Sequence, residues 1–132
     1  MNILAIDYWT RKTWIAYNFW NIAMPLKIVD TSKLIEEIKT QIKNRNIERI
    51  VIWLAIHVDW NESVQSLKTK QFAKALINQI PKNISVEFHD ERFSSFEAAK
   101  TLELAWEKHF NPKHLDDMAA SIILESYLNT IN

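Results

Sequence analysis

Three acids occupy positions from which they could do chemistry. Asp7 ends the apolar run of residues 3–6, Glu91 lies just past the alternating run 84–88, and Asp116 falls in the first turn of a helix that opens at Leu115. A carboxylate at the exit of a buried strand sits on a rigid element, as a catalytic or ligating oxygen must. Asp116 is three residues before Ala119 and seven before Ile123, so it shares the face that the helix buries. Asp117, four before Ser121 and eight before Glu125, falls on the watered side. An inward carboxylate requires a donor, a cation or a metal ion. Three such groups brought together repel one another unless a hard divalent cation such as Mg²⁺ or Mn²⁺ joins them. Ions held by acids against a phosphodiester perform hydrolysis: one orients and deprotonates water, the other stabilises the leaving oxygen. Asp7 and Asp116 also have plainer readings. Asp7 could simply open a turn, and Asp116 could complement the helix macrodipole.

The elements that must position these acids follow from periodicity. Residues 3–7, 13–17 and 22–29 read as three strands joined by tight turns, an antiparallel meander with Pro25 at an edge or bulge. Leu34, Ile35, Ile38 and Ile42 then recur at helical spacing, with Thr31 or Ser32 as N-cap and Asn44-Arg45-Asn46 as the stop. The continuous apolar run 49–54 has the form of a central buried strand. Val64, Leu67, Phe72, Ala75 and Leu76 mark a second helix, ended at Pro81, and residues 84–88 a fifth strand. Ser94 and Glu97 form a capping box for a third helix reaching about Leu104, which assigns Glu97 to the cap and Asp90 to the preceding loop. The last helix runs over 115–129 with Leu115, Met118, Ala119, Ile122 and Ile123 inward. The order predicts an α/β fold: a five-stranded mixed sheet, meander plus two parallel strands, with helices on both faces, in a single domain over 1–132.

Composition narrows the function classes. The formal net charge is zero, so nucleic-acid contact must come from local basic patches rather than a basic surface. Arg11-Lys12 is one such patch, and the stretch 108–114, which contains Lys108 and Lys113, is another. There is no cysteine, which removes disulfides and thiolate metal sites and is compatible with the cytoplasm. Asp7 interrupts the opening apolar run, which argues against a signal peptide, and no apolar stretch is long enough to cross a bilayer. No serine sits in a nucleophile elbow, and there is no glycine-rich phosphate loop. His57 and His89 have no zinc spacing and read as structural.

The segments 6–16, Met-Pro-Leu at 24–26, 51–63, His-Asp-Glu-Arg-Phe-Ser-Ser-Phe-Glu-Ala at 89–98 and Leu-Asp-Asp-Met-Ala-Ala-Ser-Ile-Ile-Leu-Glu-Ser-Tyr-Leu at 115–128 together resemble, in order along the chain, the YqgF family. These are RuvX-type Holliday junction resolvase-like proteins, also described as pre-16S ribosomal RNA nucleases. The Asp-Glu-Arg block and the closing Asp-x-x-Ala-Ala helix are the specific motifs; the opening Ile-Asp is shared with actin-like ATPases. The resemblance implies an RNase H-like fold, Asp7, Glu91 and Asp116 as the metal-holding acidic triad, and Mg²⁺ or Mn²⁺ as cofactor. Arg92, next to Glu91, would then contact phosphate or support the geometry of the acid, with Arg11, Lys12 and Lys113 as weaker candidates for backbone contacts. The implied function is a nuclease processing precursor 16S ribosomal RNA in ribosome biogenesis, with the ribosome as a further partner and a monomer or homodimer as the assembly. The alternatives are a Holliday junction resolvase on branched DNA and a non-catalytic nucleic-acid or ribosome-binding module.

One compositional fact is abnormal. The chain has no glycine, where about 7% usage would give roughly nine, and it has six tryptophans. The family has glycine at the positions of Trp9, Trp14, Trp53 and Trp60, and Trp20 stands in a turn. An indole at position 9 would obstruct approach to Asp7, which puts the activity of the tryptophan-bearing chain in question. A gene whose UGA codons mean glycine, read with UGA as tryptophan, produces this pattern; deliberate removal of glycine is the competing explanation.

Overall fold

In β1 (Ile3–Asp7) successive side chains alternate between the two sides of the sheet, and all but the last are buried. The computed structural model describes residues 1–54, 64–90 and 119–131. The other strands are β2 (Lys12–Phe19), β3 (Ile22–Asp30), β4 (Arg49–Leu54) and β5 (Ser85–Asp90). The helices are α1 (Leu34–Arg45), α2 (Val64–Ile77) and α3 (Ala119–Ile131). The five strands form one sheet in the order β3-β2-β1-β4-β5. β1 pairs antiparallel with β2, and β2 with β3, while β1–β4 and β4–β5 are parallel.

Leu4 and Ile6 point to a cluster completed by Ile50 and Ile52, by Leu34 and Ile38 of α1, and by Phe72, Ala73 and Leu76 of α2. Ile3 and Ala5 point the other way, to Ala16, Val51 and the α3 residues Ala120, Leu124, Tyr127 and Leu128. Helices therefore cover both faces, as the alternation of strands and helices predicts. Ile52 is fully buried between helix and sheet, so Ile52→Ala would cost about 2–5 kcal/mol. Pro25 lies on the edge strand, opposite Ala16, where the β2–β3 register shifts, so both of its expected placements apply.

Several details differ from the periodicity. Thr31 does not cap α1: it opens a 3-10 turn (Thr31–Lys33), and its hydroxyl bonds the carbonyl of Trp9 instead. The buried stripe of α2 is Ser66, Thr69, Phe72, Ala73 and Leu76, whereas Val64 and Leu67 are exposed. Thr69 can be buried because its hydroxyl bonds the Gln65 carbonyl one turn back. In α3 the inward residues are Ala120, Ile123, Leu124, Tyr127 and Leu128; Ile122 is only half-buried and Ser121 is buried, so spacing no longer assigns Asp117 to water. Asp90 is the last residue of β5, paired with Leu54, rather than a loop residue. The predicted helix over 94–104 lies outside the described residues.

Among the described residues two have positive φ. Asn46 (53°) is the left-handed C-cap of α1, and Trp20 (58°) lies in the turn between β2 and β3.

Candidate active site

Asp7 is the last residue of β1, a central strand with neighbours on both sides. By strand alternation it projects to the side of Ile3 and Ala5, the side covered by α3. Burial pushes its carboxyl up from an ordinary 3.8 to about 6, against the opposing pull of a hydrogen bond from Trp9. That bond, from the indole Nε1 to Oδ1, is 3.0 Å. Among the described residues no lysine or arginine forms an ion pair with Asp7. A half-buried carboxyl with a raised pKa and no ion-pair partner among the described residues meets the electrostatic condition that a bound divalent ion relieves.

The turn after Asp7 is held from several directions. Tyr8 stacks on Phe72 of α2 with ring centroids 4.8 Å apart, and its carbonyl accepts from Gln65. The Trp9 carbonyl accepts from the Thr31 hydroxyl at 2.6 Å, and the Arg11 carbonyl accepts from the Thr31 amide at 3.0 Å. Thr31 Oγ1 also meets Thr13 Oγ1 of β2 at 2.9 Å. Asp7 thus sits on a rigid strand whose following loop is pinned to both α2 and the end of β3. Neither Gln65 nor Thr31 stood out in the sequence as a brace, because each acts through a backbone carbonyl distant along the chain.

Beside this turn lies an open cleft of about 830 Å³, lined by Trp9, Thr10, Arg11, Lys12, Trp14, Asp30 and Ser32. Arg11 and Lys12 are exposed on it, as a phosphate-contacting patch requires. The structure brings them next to the Asp7 turn. Glu91, Arg92, Lys113 and Asp116 lie outside the described residues, as does His57. Among the described residues no group of three or more acidic, histidine or cysteine side chains could hold a metal ion. The parallel pairing of β1, β4 and β5 puts the C-terminal ends of these strands at one edge of the sheet, at Asp7, Leu54 and Asp90. Asp90 is one residue before Glu91, and Ala119, the first described residue of α3, is three after Asp116.

His89 is structural, as its lack of zinc spacing predicts. It is buried, its Nε2 lies 3.0 Å from Ser126 Oγ, and its ring meets Tyr127 edge-on. Tyr127 donates to Glu87 Oε2 at 2.6 Å and accepts from Arg49 Nη1 at 2.5 Å, with Arg49 Nε 3.6 Å from Glu87. The Tyr127 hydroxyl is held above its usual pKa by burial and by the Glu87 carboxylate. Polar residues at alternate positions of β5, Ser85, Glu87 and His89, are the sequence signal for this second polar cluster.

The family model described as RuvX, Holliday junction resolvase, matches residues 1–130. The chain belongs to the RuvX family. A relative from Sulfurihydrogenibium sp. (strain YO3AOP1), named as a pre-16S rRNA nuclease, is 36% identical over 133 residues, covering 98% of this chain and 91% of its own. A relative of the same name from Bacteroides fragilis is 37% identical over 134 residues, covering 97% and 96%. Both the family description and these names indicate a nuclease, a hydrolase of phosphodiester bonds. Among solved structures, Thermus thermophilus RuvC in complex with a Holliday junction substrate superposes with a TM-score of 0.66 at 12% identity, covering 99% of the RuvX-family chain and 95% of RuvC. A second Thermus thermophilus RuvC structure gives 0.63 at 13% identity. At that identity the likeness establishes the fold, which is RNase H-like.

Proposed function

We propose that this RuvX-family chain is a single-domain, metal-dependent nuclease that processes precursor 16S ribosomal RNA. The observation that carries it is Asp7: a carboxyl on a central strand, with its pKa raised to about 6 and no ion-pair partner among the described residues, beside a cleft that exposes Arg11 and Lys12. Asp7, Glu91 and Asp116 would hold Mg²⁺ or Mn²⁺; all three donate hard carboxylate oxygens, which fits either ion. The end of β5 one residue before Glu91, at the same sheet edge as Asp7, supports this set. So does the packing of α3 on the face to which Asp7 projects.

When bound, the divalent ions supply water activation and charge stabilisation at the leaving oxygen. The protein's own contribution is position and electrostatics. β1 and the pinned turn fix the Asp7 carboxylate, so little reorganisation accompanies reaction. Arg11 and Lys12 hold backbone phosphates flanking the scissile bond, with Arg92 and Lys113 assisting. Their charge gives affinity without reading sequence, which suits a processing enzyme delivered to its substrate by a larger assembly such as the ribosome. Among the described residues no helix is long and apolar enough to cross a membrane. The proposal places the enzyme in the cytoplasm, as a monomer or homodimer.

Resolution of Holliday junctions is the second reading, favoured by the family description. Cleavage assays on precursor 16S RNA and on a four-way DNA junction, each with Mg²⁺, separate the two. Asp7→Asn separates enzyme from binding module: cleavage should be lost while substrate binding persists. Cleavage by Asp7→Asn at the wild-type rate would overturn it.

A further inference from the structure

The backbone adopts a conformation suited to glycine, although glycine is absent from all 132 residues. The β2–β3 connection consists of Trp20 and Asn21, between the paired residues Phe19 and Ile22. Trp20 has φ 58°, and Asn21 is not among the positive-φ residues. Positive φ at the first of two hairpin residues alone is the pattern of a type II′ turn, whose first position belongs to glycine because a Cβ there is crowded by the backbone. The indole gains little packing in return, for Trp20 is 82% exposed. The other left-handed residue among the described ones, Asn46, is of a type that tolerates αL at a helix end. One left-handed position therefore holds a suitable residue, and the other holds a bulky aromatic one.

Two further tryptophans are misfits at Asp7. Trp14 stands opposite Asp7 in the β1–β2 register, and its indole Nε1 is buried without a hydrogen-bond partner among the described residues. A buried indole N–H ordinarily finds an acceptor. Trp9 is 47% exposed and bonds Asp7 Oδ1, so a large ring stands at one carboxylate oxygen on the rim of the cleft.

We infer that the native protein carries glycine at positions 9, 14 and 20, the UGA codons of its gene being decoded as glycine rather than tryptophan. Glycine at 20 supplies the residue that the hairpin requires. At 14 it removes the orphaned indole N–H from the strand opposite Asp7. At 9 it frees Asp7 Oδ1 and lets a substrate backbone approach the acid closely. The same decoding extends to Trp53, Trp60 and Trp106, which with these three make up the six tryptophans of a glycine-free chain.

Tandem mass spectrometry of the protein isolated from its native host reads the residues directly. The tryptic peptides 1–11 and 13–27 cover all three positions. Glycine at 9, 14 and 20 is the expected result, and tryptophan at any of them overturns the inference, whatever substrate the enzyme cleaves. An independent test uses the recombinant tryptophan chain. Trp20→Gly is expected to raise its Tm, since it relieves the left-handed Cβ without losing buried area; an unchanged or lowered Tm contradicts the turn assignment.

Discussion

On the α3 side of the sheet, Tyr127 donates to Glu87 and accepts from Arg49, while His89 bonds Ser126. On the same side, Asp7 has a single side-chain hydrogen bond, from Trp9, and no ion pair among the described residues. The first cluster contains a cation, an anion and a hydroxyl that satisfy one another across two strands and a helix. The second presents a carboxyl that burial keeps partly protonated near neutral pH. The difference teaches how to tell structural from chemical polarity in one fold. Saturated groups clamp α3 to β4 and β5; an acid left short of partners is available to an incoming ligand, at a cost in stability.

Substitutions in the two clusters should therefore have opposite signs. The largest effect is on catalysis. Asp7→Asn should lower Mg²⁺-dependent cleavage by roughly a hundredfold or more, the equivalent of several kcal/mol of lost charge stabilisation, with an unchanged circular dichroism spectrum. The same substitution should stabilise the metal-free protein. Because the folded pKa of Asp7, about 6, lies above its ordinary 3.8, folding binds a proton between those values, and stability falls as pH rises through that window. Urea melts in EDTA at pH 8 should show Asp7→Asn more stable by about 2–3 kcal/mol, with the gain vanishing near pH 4. A gain that is independent of pH would break the comparison.

Tyr127→Phe should move stability the other way, by about 1–2 kcal/mol, because Glu87 and Arg49 each lose a hydrogen bond while the ring still packs. Its cleavage rate and pH profile should match those of wild type. The smallest effects belong to the cleft. Arg11→Ala and Lys12→Ala should each weaken substrate binding about equally for all sequences and lower the salt slope by about one, with little effect on Tm. A change in sequence preference would assign them to base contact instead.

Much of this arrangement was legible in the sequence. The apolar runs of β1 and β4 mark central strands because a strand buried on both faces has no polar alternation to show. Pro25 marks the edge because it cannot donate to a ladder, and Asn46 marks a helix end because it tolerates αL. Asp7 was visible as the acid ending such a run. The facing of α2 was not, because the packing buries Ser66 and Thr69, small polar residues, and exposes Val64 and Leu67. Hydrophobicity ranks side chains, whereas burial depends on size and on where a hydroxyl finds its acceptor. Thr31 or Ser32 reads as a helix cap for a similar reason: capping is local, but the Thr31 hydroxyl is recruited by Trp9 and Thr13 from elsewhere in the fold. Glu91 and Asp116 rest on spacing and family resemblance, with the end of β5 and the start of α3 in support.

The most direct test is a crystal structure of the protein soaked in Mn²⁺, with the ion located by its anomalous signal. Mn²⁺ coordinated by the carboxylates of Asp7, Glu91 and Asp116 is the expected result. An ion bound elsewhere without Asp7, or no ion at Mn²⁺ concentrations that support cleavage, would contradict it.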